Sequence, residues 1–134
     1  LSQFPLGYST HPWSTVYAAS GTIQTSDRNK KKYINYNLDK YDSLFDRLKA
    51  ATYKFRGTGK RTHVGIISQD VEDALAESGL TSEDFAGFVK TPRLDEKTGE
   101  VTDEDYALRY DEFIGLLIDQ VQKLKKRVEE LEGR

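Results

Sequence analysis

The chain has 134 residues, a formal net charge of −2, 37% apolar and 31% charged residues, and neither cysteine nor methionine. That length and balance predict one domain with a modest core of its own and exclude a compositionally disordered chain, while a near-neutral charge speaks against a dedicated nucleic-acid binder. No apolar run approaches the ~20 residues of a membrane span, no secretory signal opens the chain, and the lack of cysteine rules out disulfides, thiolate zinc sites and a cysteine nucleophile, as suits a reducing cytoplasm.

Residues 1–25 contain no Asp, Glu, Lys or Arg and are rich in Ser, Thr, Gly and aromatics. Such composition suits short strands and turns; WSTVYAA reads as one strand and GTIQT as a second. A stretch this uncharged needs cover from another chain or from the rest of its own. With Leu1 in place of a starting methionine, the expectation is a piece of a longer protein whose fibrous β-structure ends here.

From Ser26 onward the pattern predicts compact α+β structure. Asn37 or Asp39 can cap a helix over 39–52, in which Leu38, Tyr41, Leu44, Phe45 and Leu48 make one apolar face. Thr52 to Phe55 is a short strand, Gly57-Thr58-Gly59 a turn, and His63 to Ser68 the returning strand. Gln69 to Glu77 reads as a helix stopped by Gly79. Thr81 or Ser82 opens another turn, Phe85, Phe88 and Val89 supply core, and Pro92 is expected to end that element. Asp95 to Gly99 is turn chemistry between two polar arms, a hairpin.

The last segment carries a heptad seam. Tyr110, Ile114, Leu117, Val121, Leu124, Val128 and Leu131 recur at alternating gaps of four and three, with Ile or Val at one core position and Leu at the other. Asp119–Lys123, Lys125–Glu129 and Lys126–Glu130 are oppositely charged pairs one turn apart. Such a seam packs on the chain's own core or pairs with copies of itself, and the pattern favours copies. The fold expected is therefore α+β in three parts: a β-rich end of a fibrous structure over 1–25, a small mixed α/β body over 26–109, and a coiled-coil helix over 110–134.

Few side chains suggest chemistry. Two histidines far apart, His11 and His63, with no cysteine make a metal site improbable, and His63 reads as a structural or hydrogen-bonding residue. The carboxylates are scattered. Gly57-Thr58-Gly59-Lys60 invites a phosphate-loop reading, but Lys54 and Arg61 stand where that motif needs a Gly and a Ser or Thr. No cofactor, metal or nucleotide is expected. The run Arg28, Lys30, Lys31, Lys32 is on its own a charged linker. Taken with Ser26 it allows another chemistry: a serine hydroxyl becomes a nucleophile when a base removes its proton, and a lysine is such a base when burial and neighbouring cations lower its pKa.

SDRNKKKYI, KFRGTGKRTHVGIISQDVEDAL and YALRYDEFIGLLIDQVQKLKKRVEELE, three blocks in order over 26–134, resemble the C-terminal intramolecular chaperone domain of bacteriophage tail spikes and fibres, the peptidase S74 family. GYSTHPWSTVYAASGTIQT resembles the stalk that precedes it. The resemblance implies a homotrimer that helps its own triple-stranded β-helical stalk to fold in the host cytoplasm. The domain then cuts itself off, leaving the stalk on the virion. It implies Ser26 as nucleophile, Lys31 as general base and Thr25–Ser26 as the scissile bond. Asp27 and Arg28 match the rest of that motif, and His63, Gly65 and Gln69 match a second block whose implied role is structural or active-site support. Ser68 and Lys30 depart from the family's frequent Ala and Leu, and Lys30 is a rival base. The partners implied are copies of the chain and its own stalk, with no nucleic acid and no membrane. The alternative is a trimerisation module whose Ser26 does no chemistry.

Overall fold

A computed structural model describes residues 3–133. They fall into two units, one of residues up to Tyr36 with Thr91–Asp105, the other of Asn37–Lys90 with the residues from Tyr106 onward.

The second unit holds the core. Helix α1 (Asp42–Arg47) follows a 3-10 turn at Asp39–Tyr41. Strands β1 (Ala51–Tyr53) and β2 (His63–Gly65) pair antiparallel, with Thr52 opposite Val64. Helix α2 spans Ser68–Glu77 and the long helix α3 spans Asp111–Glu132. Leu44 of α1, Val71, Ala74 and Leu75 of α2, Phe85 and Phe88 of the following segment, and Phe113 and Leu116 of α3 form one buried cluster. Phe85 and Phe113 meet edge to face, with centroids 5.1 Å apart, a favoured aromatic geometry. Helix α2 ends as its sequence predicts. Gly79 takes a φ of +73°, and Leu80 N–H donates back to the Leu75 carbonyl at 2.9 Å, closing the open end of the helix.

Strands β3 (Phe88–Leu94) and β4 (Val101–Leu108) form the expected hairpin. At its turn the Asp95 carboxylate accepts N–H bonds from Lys97 at 2.8 Å and Thr98 at 2.9 Å. Those bonds, Thr98's first, hold the Asp95 carboxyl below the usual carboxylate range. Gly99 supplies the positive φ, +72°, that brings the chain round.

Several boundaries differ from the expectation. The helix expected over 39–52 is α over 42–47 only, because Leu48 turns extended and the chain at once enters β1. The strands expected over 52–55 and 63–68 shrink to 51–53 and 63–65. Pro92 does not end its element but lies inside β3, which a two-stranded hairpin tolerates because each strand has a free edge. The strands expected at WSTVYAA and GTIQT are absent. Among the described residues of 3–25 only a Tyr8–His11 bridge forms, for a strand needs a neighbouring strand and no described segment of this chain forms a ladder with these two.

The heptad seam lies on the open side of α3. Tyr110, Ile114, Leu117, Val121, Leu124, Val128 and Leu131 are 44% to 63% exposed, against 5% and 6% for Phe113 and Leu116. The helix is held to α1 by a polar cluster in which Lys123 Nζ donates to Asp42 at 2.7 Å, Asp39 at 2.9 Å and Asp119 at 2.9 Å, and Gln120 donates to Asp42 at 2.7 Å. The bond from Lys123, then that from Gln120, holds the Asp42 carboxyl below its ordinary range, and the carboxylates, Asp42 first, raise the Lys123 ammonium.

Candidate active site

Ser26 lies directly before a tight turn, and the turn explains why a residue five positions on can reach it. Asp27 is extended, with φ −70° and ψ 127°, and caps the 3-10 turn Arg28–Lys30 by accepting the Asn29 N–H at 2.9 Å. This is the side-chain cap that Asp favours at such a terminus. Lys30 N–H donates to the Asp27 carbonyl at 3.0 Å and Lys31 N–H to the Arg28 carbonyl at 3.1 Å, so the backbone folds back on itself. Lys31 then returns to extended backbone, with φ −116° and ψ 152°. Its Nζ donates to Ser26 Oγ at 2.7 Å.

Ser26 and Lys31 are thus brought together, and it is Lys31 rather than its rival Lys30 that meets the hydroxyl. Both side chains are exposed in the single chain. Arg28 points elsewhere and donates from Nη2 to the Tyr36 hydroxyl at 2.9 Å. The sequence reading missed Tyr36, eight positions away, since no local periodicity relates the two. Lys32 places its Nζ 5.3 Å from the centroid of the Tyr33 ring, and Tyr33 takes a φ of +54°. That left-handed conformation is uncommon for an aromatic residue.

His63 and Gln69 belong to the second unit. His63 stacks on Tyr53, with centroids 5.4 Å apart, and meets the edge of Phe55 at 5.0 Å. Gln69 sits exposed in the first turn of α2. Between them Gly65 has a packing reason to be glycine: a Cβ there would stand 2.7 Å from the Tyr110 hydroxyl. That hydroxyl accepts from Ile66 N–H at 3.2 Å and donates to the Ile66 carbonyl at 3.3 Å. The Tyr110 role was not foreseen, because the residue reads from sequence as the first member of the seam.

Among the described residues no group of three His, Asp or Glu side chains could hold a metal ion, and no helix is long and apolar enough to cross a membrane.

Residues 26–80 match the peptidase S74 family, chaperone of endosialidase, so the family resemblance read from the sequence holds over that stretch. No curated protein matches the chain. Among solved structures, the chain is similar to the carboxy-terminal domain of the bacteriophage T5 L-shaped tail fibre with its intramolecular chaperone domain. The TM-score is 0.73 at 16% identity, over 98% of this chain and 37% of that one. It therefore spans little more than a third of that relative's length. A second structure, described as a novel intramolecular chaperon, matches with a TM-score of 0.60 at 21% identity, over 75% of this chain and 99% of that one. At these identities the likeness fixes the fold, which is the mixed α/β fold of those two domains.

Proposed function

We propose that the chain is the self-cleaving intramolecular chaperone end of a phage tail spike or tail fibre. It drives trimerisation and folding of its own stalk and then releases itself at Thr25–Ser26. The observation that carries the reading is the 2.7 Å contact between Lys31 Nζ and Ser26 Oγ, inside the stretch that matches a peptidase family.

In the reacting state a neutral Lys31 amine takes the Ser26 hydroxyl proton, and Oγ adds to the Thr25 carbonyl carbon. The tetrahedral species collapses with loss of the Ser26 nitrogen as an amine, leaving the Thr25 acyl group as an ester on Oγ. Water then hydrolyses that ester, giving a carboxylate at Thr25 and a free amino group at Ser26. A lysine is neutral near pH 7 only when its charge is penalised, and burial is the usual means. The dyad is exposed in one chain, so assembly is the step expected to cover it. Attack on the peptide bond directly upstream also needs a held, distorted geometry, because a planar trans peptide aligns these atoms poorly.

Coupling the cut to assembly makes it a folding check. A stalk with nonlocal β-topology folds slowly, and loss of the helper makes the folded product kinetically trapped. On this reading the domain works in the host cytoplasm and the stalk remains on the virion.

The same exposure of Ser26 and Lys31 favours a second reading, a trimerisation module whose Ser–Lys pair is only a solvated turn. Intact-mass measurement on the assembled wild-type chain and on Ser26→Ala separates the two. Self-cleavage predicts that the wild type splits and Ser26→Ala stays whole, whereas a wild type that assembles and stays whole supports the inert module.

A further inference from the structure

Helix α3 has an apolar residue where its heptads call for charge. With Ile114, Val121 and Val128 at a and Leu117, Leu124 and Leu131 at d, positions e are Ile118, Lys125 and Glu132 and positions g are Phe113, Gln120 and Arg127. Residues at e and g are commonly Glu or Lys, yet Ile118 is apolar and 54% exposed. The g side is also unusual. Phe113 is buried in the body and, with Phe45, Leu48, Ile66 and Leu117, lines an apolar groove of about 210 Å³. Leu117 belongs to the seam as well, so groove and seam form one continuous apolar surface. Farther along the same side, Phe45 and Gln120 line a second hollow with Val121 and Leu124 of the seam.

We propose that this groove is filled by Ile118 of a second copy of the chain in a parallel coiled coil. In a parallel pair each g side chain faces the e side chain of the next heptad on its neighbour. That rule sets the Phe113 position, whose side chain lines the groove, against Ile118 of the second copy, apolar on apolar. It sets Gln120 against Lys125 and Arg127 against Glu132, the last an ion pair of opposite sign. An antiparallel pair instead sets g against g and e against e, which leaves the Phe113 groove without Ile118. The exposed Ile118 and the open groove thus answer each other across two chains. Because Ile66 lines the groove and has both backbone groups on the Tyr110 hydroxyl, occupancy by a neighbour buttresses the segment that joins β2 to α2. The docking ties helix pairing to the globular body and fixes the register of the copies.

The inference rests on the self-association in the proposed function, and the test keeps the two apart. The chain has no cysteine, so single cysteines report cleanly. Lys49 lies on the groove rim and Ile118 is exposed, so neither substitution removes core. Mixed Ile118→Cys and Lys49→Cys chains, treated with a short bismaleimide, are expected to give a cross-linked heterodimer that neither variant gives alone. Ile118→Glu is expected to raise the dissociation constant of self-association by about tenfold or more in sedimentation equilibrium, with unchanged circular dichroism, and Ile118→Leu to leave it within about threefold. A wild type that sediments as a monomer overturns the self-association reading and this inference with it. A wild type that assembles without the mixed cross-link, or that links Ile118→Cys to itself, overturns the groove alone, as does an Ile118→Glu chain of unchanged affinity.

Discussion

The two ends of the chain make opposite use of similar apolar content. In the unit that carries α1, α2 and α3, eight apolar side chains close into one cluster, with Leu44 and Val71 at 0% exposure. In the N-terminal segment Tyr17 and Ile23 stand 95% and 99% exposed, and Phe4 91%. The first region buries these apolar side chains against one another, whereas Phe4, Tyr17 and Ile23 stay in contact with solvent. The hydrophobic driving force scales with area removed from water, so Phe4, Tyr17 and Ile23 contribute only when their apolar surface is covered.

The sharpest way to break that contrast is to remove core on one side and exposed bulk on the other. Leu44→Ala is expected to cost about 2–5 kcal/mol of unfolding free energy in urea, because it empties a fully buried site. Ile23→Ala is expected to stay within about 0.5 kcal/mol in the unassembled chain. An equal loss at both positions would mean that the N-terminal segment is packed after all.

Gly65→Ala comes next. Its new Cβ meets the Tyr110 hydroxyl at 2.7 Å, and displacing that hydroxyl strips Ile66 of its donor and acceptor, for a cost of about 1–3 kcal/mol. Tyr110→Phe in the same background should relieve part of the clash but not the lost hydrogen bonds, read as non-additive stability in the double variant.

The smallest expected effect is at Lys123, whose cluster is partly exposed and screened by solvent. Asp42 titrates below its ordinary value when folded, so its contribution is present above pH ~4 and is lost as pH falls through the depressed folded value. Lys123 titrates above its ordinary value, so its own contribution is full at neutral pH and is lost only in strong alkali, above pH ~10.4. Lys123→Met should therefore flatten the acid limb of the stability–pH curve and leave the difference from wild type small. An acid limb unchanged by the substitution would show that the cluster does not stabilise the fold.

The contrast also explains what was legible in the sequence. The seam from Tyr110 to Leu131 could be read because heptad spacing is a local property of one helix. The stop at Gly79 and the turn at Asp95–Gly99 were equally local, fixed by positive-φ glycines and an Asp that binds nearby N–H groups. Helix α1 was over-extended because Leu48 continues the apolar spacing, while the pull of β1 pairing with β2 acts across the loop from Lys54 to Thr62. Phe113 and Leu116 went unread as core because they stand beside the seam, and only tertiary packing decides which face of α3 turns inward. The strands foreseen in 3–25 have the right composition, but composition alone does not supply the neighbouring strand that a ladder needs. At the site, the Ser26–Lys31 contact was suggested by a motif and its geometry rests on the Asp27-capped turn. The Arg28–Tyr36 bond had no local signal at all.

The central claim is that the chain cuts itself before Ser26, with Lys31 as the base. Its most direct test is the N-terminal residue of the C-terminal product formed by the assembled chain, compared among wild type, Lys31→Ala and Lys30→Ala. The account predicts Ser26 at that terminus for the wild type and Lys30→Ala, and no product for Lys31→Ala. A different first residue, or a Lys31→Ala chain that still cuts before Ser26, would contradict it.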